Sequence, residues 1–306
     1  MQAVDRVRAQ SALRVRRIAP RVLVPYAFIA PAFGVLGIVL IYPMLQNVYL
    51  SLHAWSFVAP EKIRFVGLGN YQQLTTDPIF DEAFVFTILF AATTIVAELV
   101  IGLGGALLLA SIGSLRFLAT SVVLVPHMIA SIAVGLTWRL LWTSGFGLIN
   151  YVLLAIGIRP PAWLADQPAV FFAVAIPEIW HSTPFVTLIL LAGLLSQPLD
   201  VYEAARVDGA TPWQSFWSIT LPLLRPALAI ALLFETIYKL RVFDLVYILT
   251  NGGPGTQTQP LGLLVYRRYF LYTDGGSTAA ISVVLLVLGL LTSVFYIRVV
   301  YRQEPS

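Results

Sequence analysis

The chain has 306 residues, of which 58% are hydrophobic and 11% charged, with a formal charge of +4 and a mean hydropathy of +0.84. A soluble domain carries roughly 25% charged residues, so this composition excludes an ordinary soluble protein and defines an integral membrane one. The basic balance is not a nucleic-acid signal, because the arginines flank apolar runs instead of forming a solvated stripe. The absence of cysteine excludes disulfides, thiolate metal sites and cysteine nucleophiles.

Residues 1–23 form a basic segment ahead of an apolar run from about Val22 to Leu50. That run exceeds the roughly 7–15 residues of a signal-peptide core, so it reads as an uncleaved first span. A membrane helix needs ~20 mostly apolar residues, and six stretches qualify: 24–50, 83–111, 117–142, 169–196, 227–250 and 278–300. The expected fold is therefore an all-α, six-helix transmembrane bundle over residues 24–303, with no connecting segment long enough for a soluble domain. With the amino terminus inside, Arg6, Arg8, Arg14, Arg16, Arg17, Arg21, Arg116, Arg206, Arg225, Arg298 and Arg302 lie on the inner side, against Lys62, Arg64, Arg159, Arg267 and Arg268 outside. By the positive-inside rule both termini and the 197–226 insert are cytoplasmic.

Along the spans, Pro43, Pro126, Pro177 and Pro184 interrupt the apolar pattern, which membrane helices tolerate where neighbours re-satisfy the freed backbone groups. Gly102, Ala106 and Ala110 place small residues four apart, the pattern of close helix packing. Charged groups within spans are costly and each is a functional hypothesis. Glu98 in the second span reads as a buried strut or as part of a solute path. Arg139, with Trp138 and Trp142, reads as an outer-interface anchor. Glu178, His181, Ser182 and Phe185 share one face of the fourth span, and Glu235, Tyr238, Lys239 and Val242 one face of the fifth. Glu235 and Lys239 stand four apart, so they serve as an internal ion pair, as path lining, or as both. Arg241 and Asp244 fall on the opposite face of a continuous helix. The three histidines are far apart in the sequence, and no metal site is expected.

Between the fourth and fifth spans lies YEAARVDGATPWQSFWSITLPLLRPAL, from Tyr202 to Leu228. Asp200, or the residue before it, is placed to cap a short helix through Ala205. Gly209 supplies a turn, and Thr211-Pro212 opens a second helix as N-cap and first-position proline. Leu221-Pro222 and Arg225-Pro226 then redirect the chain. On these features alone the insert is either a docking knob or an amphipathic helix lying on lipid, which Trp213 and Trp217 would suit.

The spacing of Glu203-Ala204-Ala205, Asp208-Gly209, Ile219 and Leu221-Pro222 resembles the EAA coupling loop of membrane subunits of binding-protein-dependent ABC importers. Ala30-Pro31-Ala32, Tyr42-Pro43, FVGLGNYQQLTTDPIF and FDLVYILTNGGPGTQT resemble the carbohydrate-uptake permeases related to the maltose and glycerol-phosphate systems, the last run being similar to the first of their two permease types. The resemblance runs from about residue 24 to the end. It implies a type I importer fold in a bacterial or archaeal cytoplasmic membrane, and a sugar or sugar derivative such as an oligosaccharide, polyol or glycerol-phosphate compound as cargo. It also implies a second homologous permease, two copies of an ATPase carrying ATP and Mg, and an external solute-binding protein. Glu203, Ala204, Ala205, Asp208, Gly209, Ile219, Leu221 and Pro222 would then face the ATPase. Glu178, His181, Ser182, Phe185, Glu235, Tyr238 and Lys239 would line the path. Unlike the maltose-type subunit, the chain has no large external domain in the 51–82 loop. Its only lysines, Lys62 and Lys239, do not follow glycine, so no P-loop is present and the chain itself is expected to be non-catalytic. The rival reading is an autonomous proton-coupled transporter using Glu98, Glu178 or Glu235, but no internal repeat of the usual kind is visible.

Overall fold

A computed structural model describes residues 20–301. Most of the basic amino-terminal segment, with Arg6, Arg8, Arg14, Arg16 and Arg17, lies outside the described residues, as does Arg302. The described residues belong to two compact units that part between Tyr49 and Leu50.

The first unit is the first predicted span: α1 (Pro20–Leu36), a π-turn (Gly37–Ile41) and the beginning of α2 (Tyr42–Ser51). The widened turn has a local cause. Pro43 has no N–H to give, and its ring crowds the carbonyl four residues earlier. The Tyr42 N–H accordingly reaches Gly37 O, five residues back.

In the second unit a short hairpin pairs β1 (His53–Ala54) with β2 (Arg64–Phe65). It is followed by α3 (Gly69–Leu74) and the long α4 (Pro78–Ser111), whose Asp77 N-cap accepts from the Ile79 N–H and whose Pro78 occupies the first helical position. The predicted third span is not one helix. It divides into α5 (Arg116–Leu124), a 3₁₀ turn (Pro126–Met128), extended residues Ile129 and Ala130, and α6 (Ser131–Trp142). Pro126 has no N–H for the Val122 carbonyl, and from it the α-helix tightens into the 3₁₀ turn before the chain becomes extended at Ile129 and Ala130.

Next come α7 (Leu148–Ala155) and α8 (Ala169–Leu195), then the insert elements α9 (Leu199–Val207), α10 (Pro212–Ser215), a π-turn (Phe216–Thr220) and α11 (Leu221–Leu223). The predicted fifth span is also broken, into α12 (Arg225–Leu240) and α13 (Asp244–Leu249). No proline or glycine marks this break in sequence. At the break the chain passes close to α14 (Leu261–Phe270), whose Gly262 would place an added Cβ 2.8 Å from Val242 O, so the Val242 carbonyl meets bare backbone there. The long α15 (Gly275–Tyr301) completes the order.

Among the described residues four stretches are long and apolar enough to cross a bilayer: Phe28–Ser51, Pro78–Ser111, Ala169–Leu195 and Gly275–Arg298. Pro212–Leu223 and Arg225–Leu240, bent by 60°, make a fifth when counted together. The other predicted crossing is the one assembled from α5 and α6.

The core is the contact of α4 with α8 and α12. Ala106, Leu109, Val186, Leu190, Leu224 and Ala231 form one buried cluster, and Phe86, Phe90, Val174 and Val246 belong to another. The small residues of α4 work as their spacing suggested: a Cβ on Gly102 would fall 2.8 Å from Val186 Cγ1, and one on Gly105 3.2 Å from Thr187 Cγ2. Pro177 leaves the Ala173 carbonyl without its helical donor, and Trp142 Nε1–H supplies the bond at 3.0 Å. Trp142 is therefore a buried strut between α6 and α8, not an interface anchor. Arg139 also departs from the anchor reading, because its guanidinium donates to Ile248 O at 3.1 Å, near the carbonyl end of α13.

Two glycine substitutions test this packing. A Cβ on Gly193 would lie 2.5 Å from Ala227 Cβ, so Gly193→Ala is expected to destabilise the purified protein by about 1–3 kcal/mol. Gly104, with nothing within 4 Å, should accept alanine with no loss and a gain of up to ~1 kcal/mol. The midpoints of thermal unfolding in detergent should separate the two variants in that order.

Candidate functional site

Two features gather the residues singled out in the sequence: a charged cluster with an adjoining cavity inside the bundle, and the knob at residues 197–224.

Lys239 is fully buried on α12 and holds three carboxylates. Its Nζ lies 2.6 Å from Glu178 Oε1 on α8, 2.9 Å from Glu98 Oε1 on α4 and 3.2 Å from Glu235 Oε2 one helical turn back. It also donates to Ser182 Oγ at 3.0 Å, while Ser182 donates to Glu178 at 3.3 Å. The expected Glu235–Lys239 pair is present, and Glu98 and Glu178 converge on the same ammonium. Among the described residues neither oxygen of Glu98 has a well-directed hydrogen bond. An ion cluster of this kind gains its stability from mutual compensation, and removing one partner leaves charge stranded in a low-dielectric interior.

Next to this cluster is a cavity of ≈ 400 Å³. Glu178, His181, Ser182, Glu235 and Tyr238 line it as the sequence faces predicted. Lys239 does not open onto it, being enclosed by its carboxylates. Phe185 stands at its edge, with its ring stacked 5.3 Å from His127 and edge-on to Tyr238 at 6.3 Å. Arg241 and Asp244, placed on the far face of a continuous helix, instead line the same cavity. The break at Arg241–Phe243 resets the helical phase, which is why the wheel misplaced them.

His127 was missed by sequence reading, and the structure gives it a paired role. His127 Nδ1 lies 3.1 Å from His181 O, and His181 Nε2 lies 2.9 Å from Ile129 O. Each ring thus donates to a backbone carbonyl of the other's segment, clasping the break after Pro126 to α8. The carbonyl that His181 satisfies belongs to the break after Pro126, on a different element from its own helix. Among the described residues no group of three or more His, Asp or Glu is placed to hold a metal ion.

The knob is built by local rules. α9 starts at Pro198, which offers no side-chain cap, so the expected Asp200 cap is absent and Asp200 sits in the first turn near the positive end of the helix dipole. The helix ends in a Schellman motif. Gly209 takes φ +77°, Ala210 N–H reaches Ala205 O at 2.9 Å, and Gly209 N–H reaches Arg206 O at 3.1 Å. Thr211 and Gln214 form a complete capping box ahead of Pro212. A second π-turn follows, with Leu221 N–H on Phe216 O immediately before Pro222, the same arrangement as at Tyr42-Pro43. Tyr202 OH bonds both Gln197 and Thr220 Oγ1, and Gln197 Nε2 donates to Thr220 O at 3.2 Å, so the two arms are tied together at their base. Glu203, Ala204, Asp208 and Gly209 are exposed, Ala205 is buried, and Ile219, Leu221 and Pro222 are half-buried. Leu224, at the 60° bend, is a buried member of the α4–α8–α12 core.

A helical bundle with a polar knob between two core helices and a charged cavity between them is the arrangement of a transport subunit. The chain belongs to the family of binding-protein-dependent transport system inner membrane components, whose model matches residues 102–303. Among its relatives, the trehalose/maltose transport system permease protein MalF of Thermococcus litoralis is 39% identical over 90% of this chain and 92% of its own length. The sulfoquinovosyl glycerol transport system permease protein SmoG of Agrobacterium fabrum is 34% identical over 92% of each, and the trehalose transport system permease protein SugA of Mycobacterium tuberculosis is 33% identical over 98% and 94%. The fold is that of a bacterial alginate ABC transporter solved with its alginate-pentasaccharide-bound periplasmic protein. The TM-score is 0.78 at 22% identity, covering 92% of this chain and 96% of that one. This chain is thus the non-catalytic permease component of an ABC importer, and these relatives give no support to the proton-coupled alternative.

Replacing Lys239 with methionine should strand three buried carboxyl groups and cost about 3–5 kcal/mol. Adding Glu98→Gln to Lys239→Met should recover part of the loss. Unfolding midpoints of the single and double variants, purified in the same detergent, read the coupling directly.

Proposed function

We propose that this chain forms half of the translocation path of an importer for an uncharged sugar or sugar derivative, paired with a second homologous permease, two ATPase copies and an external solute-binding protein. The observation that carries this reading is the charged cavity lined by α8 and α12, the two helices that the knob connects in the chain. Three carboxyl-bearing residues, Glu178, Glu235 and Asp244, line it against the single guanidinium of Arg241, and Lys239 is enclosed by its own partners. Such a wall disfavours an anion and offers many hydrogen-bonding groups to hydroxyls, while Tyr238 supplies an aromatic ring for an apolar sugar surface. The trehalose and maltose named for two relatives are neutral sugars, whereas the sulfoquinovosyl glycerol named for a third bears a sulfonate, so the uncharged cargo rests on the cavity wall.

In this reading the ATPases bind ATP and Mg and push on Glu203, Ala204, Ala205, Asp208 and Gly209 of the knob. Ile219, Leu221 and Pro222 pass the displacement through Leu224 into the core. The orientation that fits puts the knob and both termini in the cytoplasm of a cell whose inner membrane the chain spans several times, with residues 51–82 and 251–277 outside.

Two experiments test the reading. In vesicles carrying the complete importer, a radiolabelled neutral disaccharide should be taken up, and Tyr238→Ala should reduce that uptake, while a sugar phosphate of similar size should be excluded. Preferential uptake of the phosphate overturns the cargo assignment. For the knob, Glu203→Lys removes a contact charge, and Gly209→Pro imposes φ ≈ −65° where +77° is needed. Both variants should insert normally yet lose uptake and co-purification of the ATPase, and wild-type behaviour of both removes the coupling role.

A further inference from the structure

The short helix α7 and its flanks are not used by the path or the knob. The segment 140–158 contains no charged residue and is bracketed by Arg139 and Arg159. At 1.5 Å per residue the eight residues of α7 extend ~12 Å, far less than the ~30 Å of a hydrocarbon core. Gly145 at φ +92° and Gly157 at φ +79° turn the chain before and after it. The helix cannot cross a membrane, yet its outer surface is apolar.

Its roll is fixed by one buried side chain. The Asn150 amide donates to Thr143 O at 2.8 Å and accepts from Trp163 Nε1–H at 2.9 Å, while Ile149 packs with Trp142 and Trp163. With that side pinned, Leu148, Tyr151 and Leu154 point outward, Tyr151 being 72% and Leu154 60% exposed, and Phe146 just ahead is 74% exposed. Leu136 and Leu140 of α6, part of the predicted third crossing just before it in the chain, are likewise exposed.

We propose that α7 lies in the lipid interface at the end of the third crossing, with Phe146, Leu148, Tyr151 and Leu154 sunk toward the acyl chains and Arg159 at the headgroups. Three observations select lipid as the occupant. The segment directly follows α6, whose Leu136 and Leu140 are exposed and apolar, and with no charged residue between 140 and 158 it is unlike the mixed surfaces by which soluble proteins dock. A tyrosine on that face and an arginine just beyond it suit the boundary between acyl chains and water. The proposal requires only that the chain is membrane-embedded, not the cargo or the coupling role.

Because the sequence has no cysteine, single nitroxide labels can be placed at Tyr151→Cys, Leu154→Cys and Arg159→Cys in the full chain. The labelled protein is reconstituted in phosphatidylcholine–phosphatidylglycerol bilayers, and Val134→Cys, at a buried site, reports intact packing. Oxygen, which concentrates in lipid, should collide with labels at 151 and 154 more often than a water-soluble nickel chelate does, and the ratio should invert at 159. A chelate-dominated signal at 151 and 154 would mean a water-facing helix. Exclusion of both reagents there would mean that protein, such as the second permease, covers the face. Either result overturns the proposal, and neither bears on cargo or coupling.

Discussion

One ammonium group organises the centre of this molecule. Lys239 joins α4, α8 and α12 through Glu98, Glu178 and Glu235, a polar tie among helices that otherwise pack through apolar side chains and close glycine contacts. Apolar packing inside a membrane has no hydrophobic driving force to choose one register over another, since lipid is as apolar as leucine. A buried cation with three partners does choose, because each slip of one helix separates a charge from its counter-charge. The cavity, the His127–His181 clasp and the placement of the knob all depend on that register.

The knob is built as a continuation of the bundle and not as a loose loop. Its base is fastened by Tyr202, Gln197 and Thr220, its tip is shaped by the Gly209 turn and the Thr211–Gln214 box, and its far arm ends at Leu224 inside the core. Few rotatable links separate the exposed Glu203 from α12, which carries Glu235 and Lys239. The fourth and fifth predicted spans therefore meet at both ends of one short circuit: at the knob through hydrogen bonds, and in the bundle through the Glu178–Lys239 pair.

What the sequence made legible was local. Gly209, Thr211-Pro212 and Leu221-Pro222 announce their turns because backbone chemistry acts over three to five residues, and the apolar lengths of α4, α8 and α15 announce themselves by count alone. The failures were non-local. The i,i+4 pair Glu235–Lys239 was visible, but its convergence with Glu98 and Glu178 depends on helix packing that periodicity does not contain. Arg241 and Asp244 were placed on the wrong face because the helix breaks between them with no proline or glycine at that point to announce it. Trp142 looked like an anchor because its true partner, the carbonyl orphaned by Pro177, is likewise brought in from elsewhere. His127 carried no signal beyond the proline before it.

The close approach of α4 and α8 has a mechanical consequence. Where Gly102 and Gly105 admit Val186 and Thr187 against bare backbone, neither helix can slide or roll without a side chain entering the space that a Cβ would have filled. The two helices are locked like meshed teeth and must travel as a single block. Helical hydrogen bonding lapses instead at residues 125–130 and 241–243, and both segments contribute to the wall of the cavity, so the cavity is bounded by one helix of a rigid pair and by two interrupted ones.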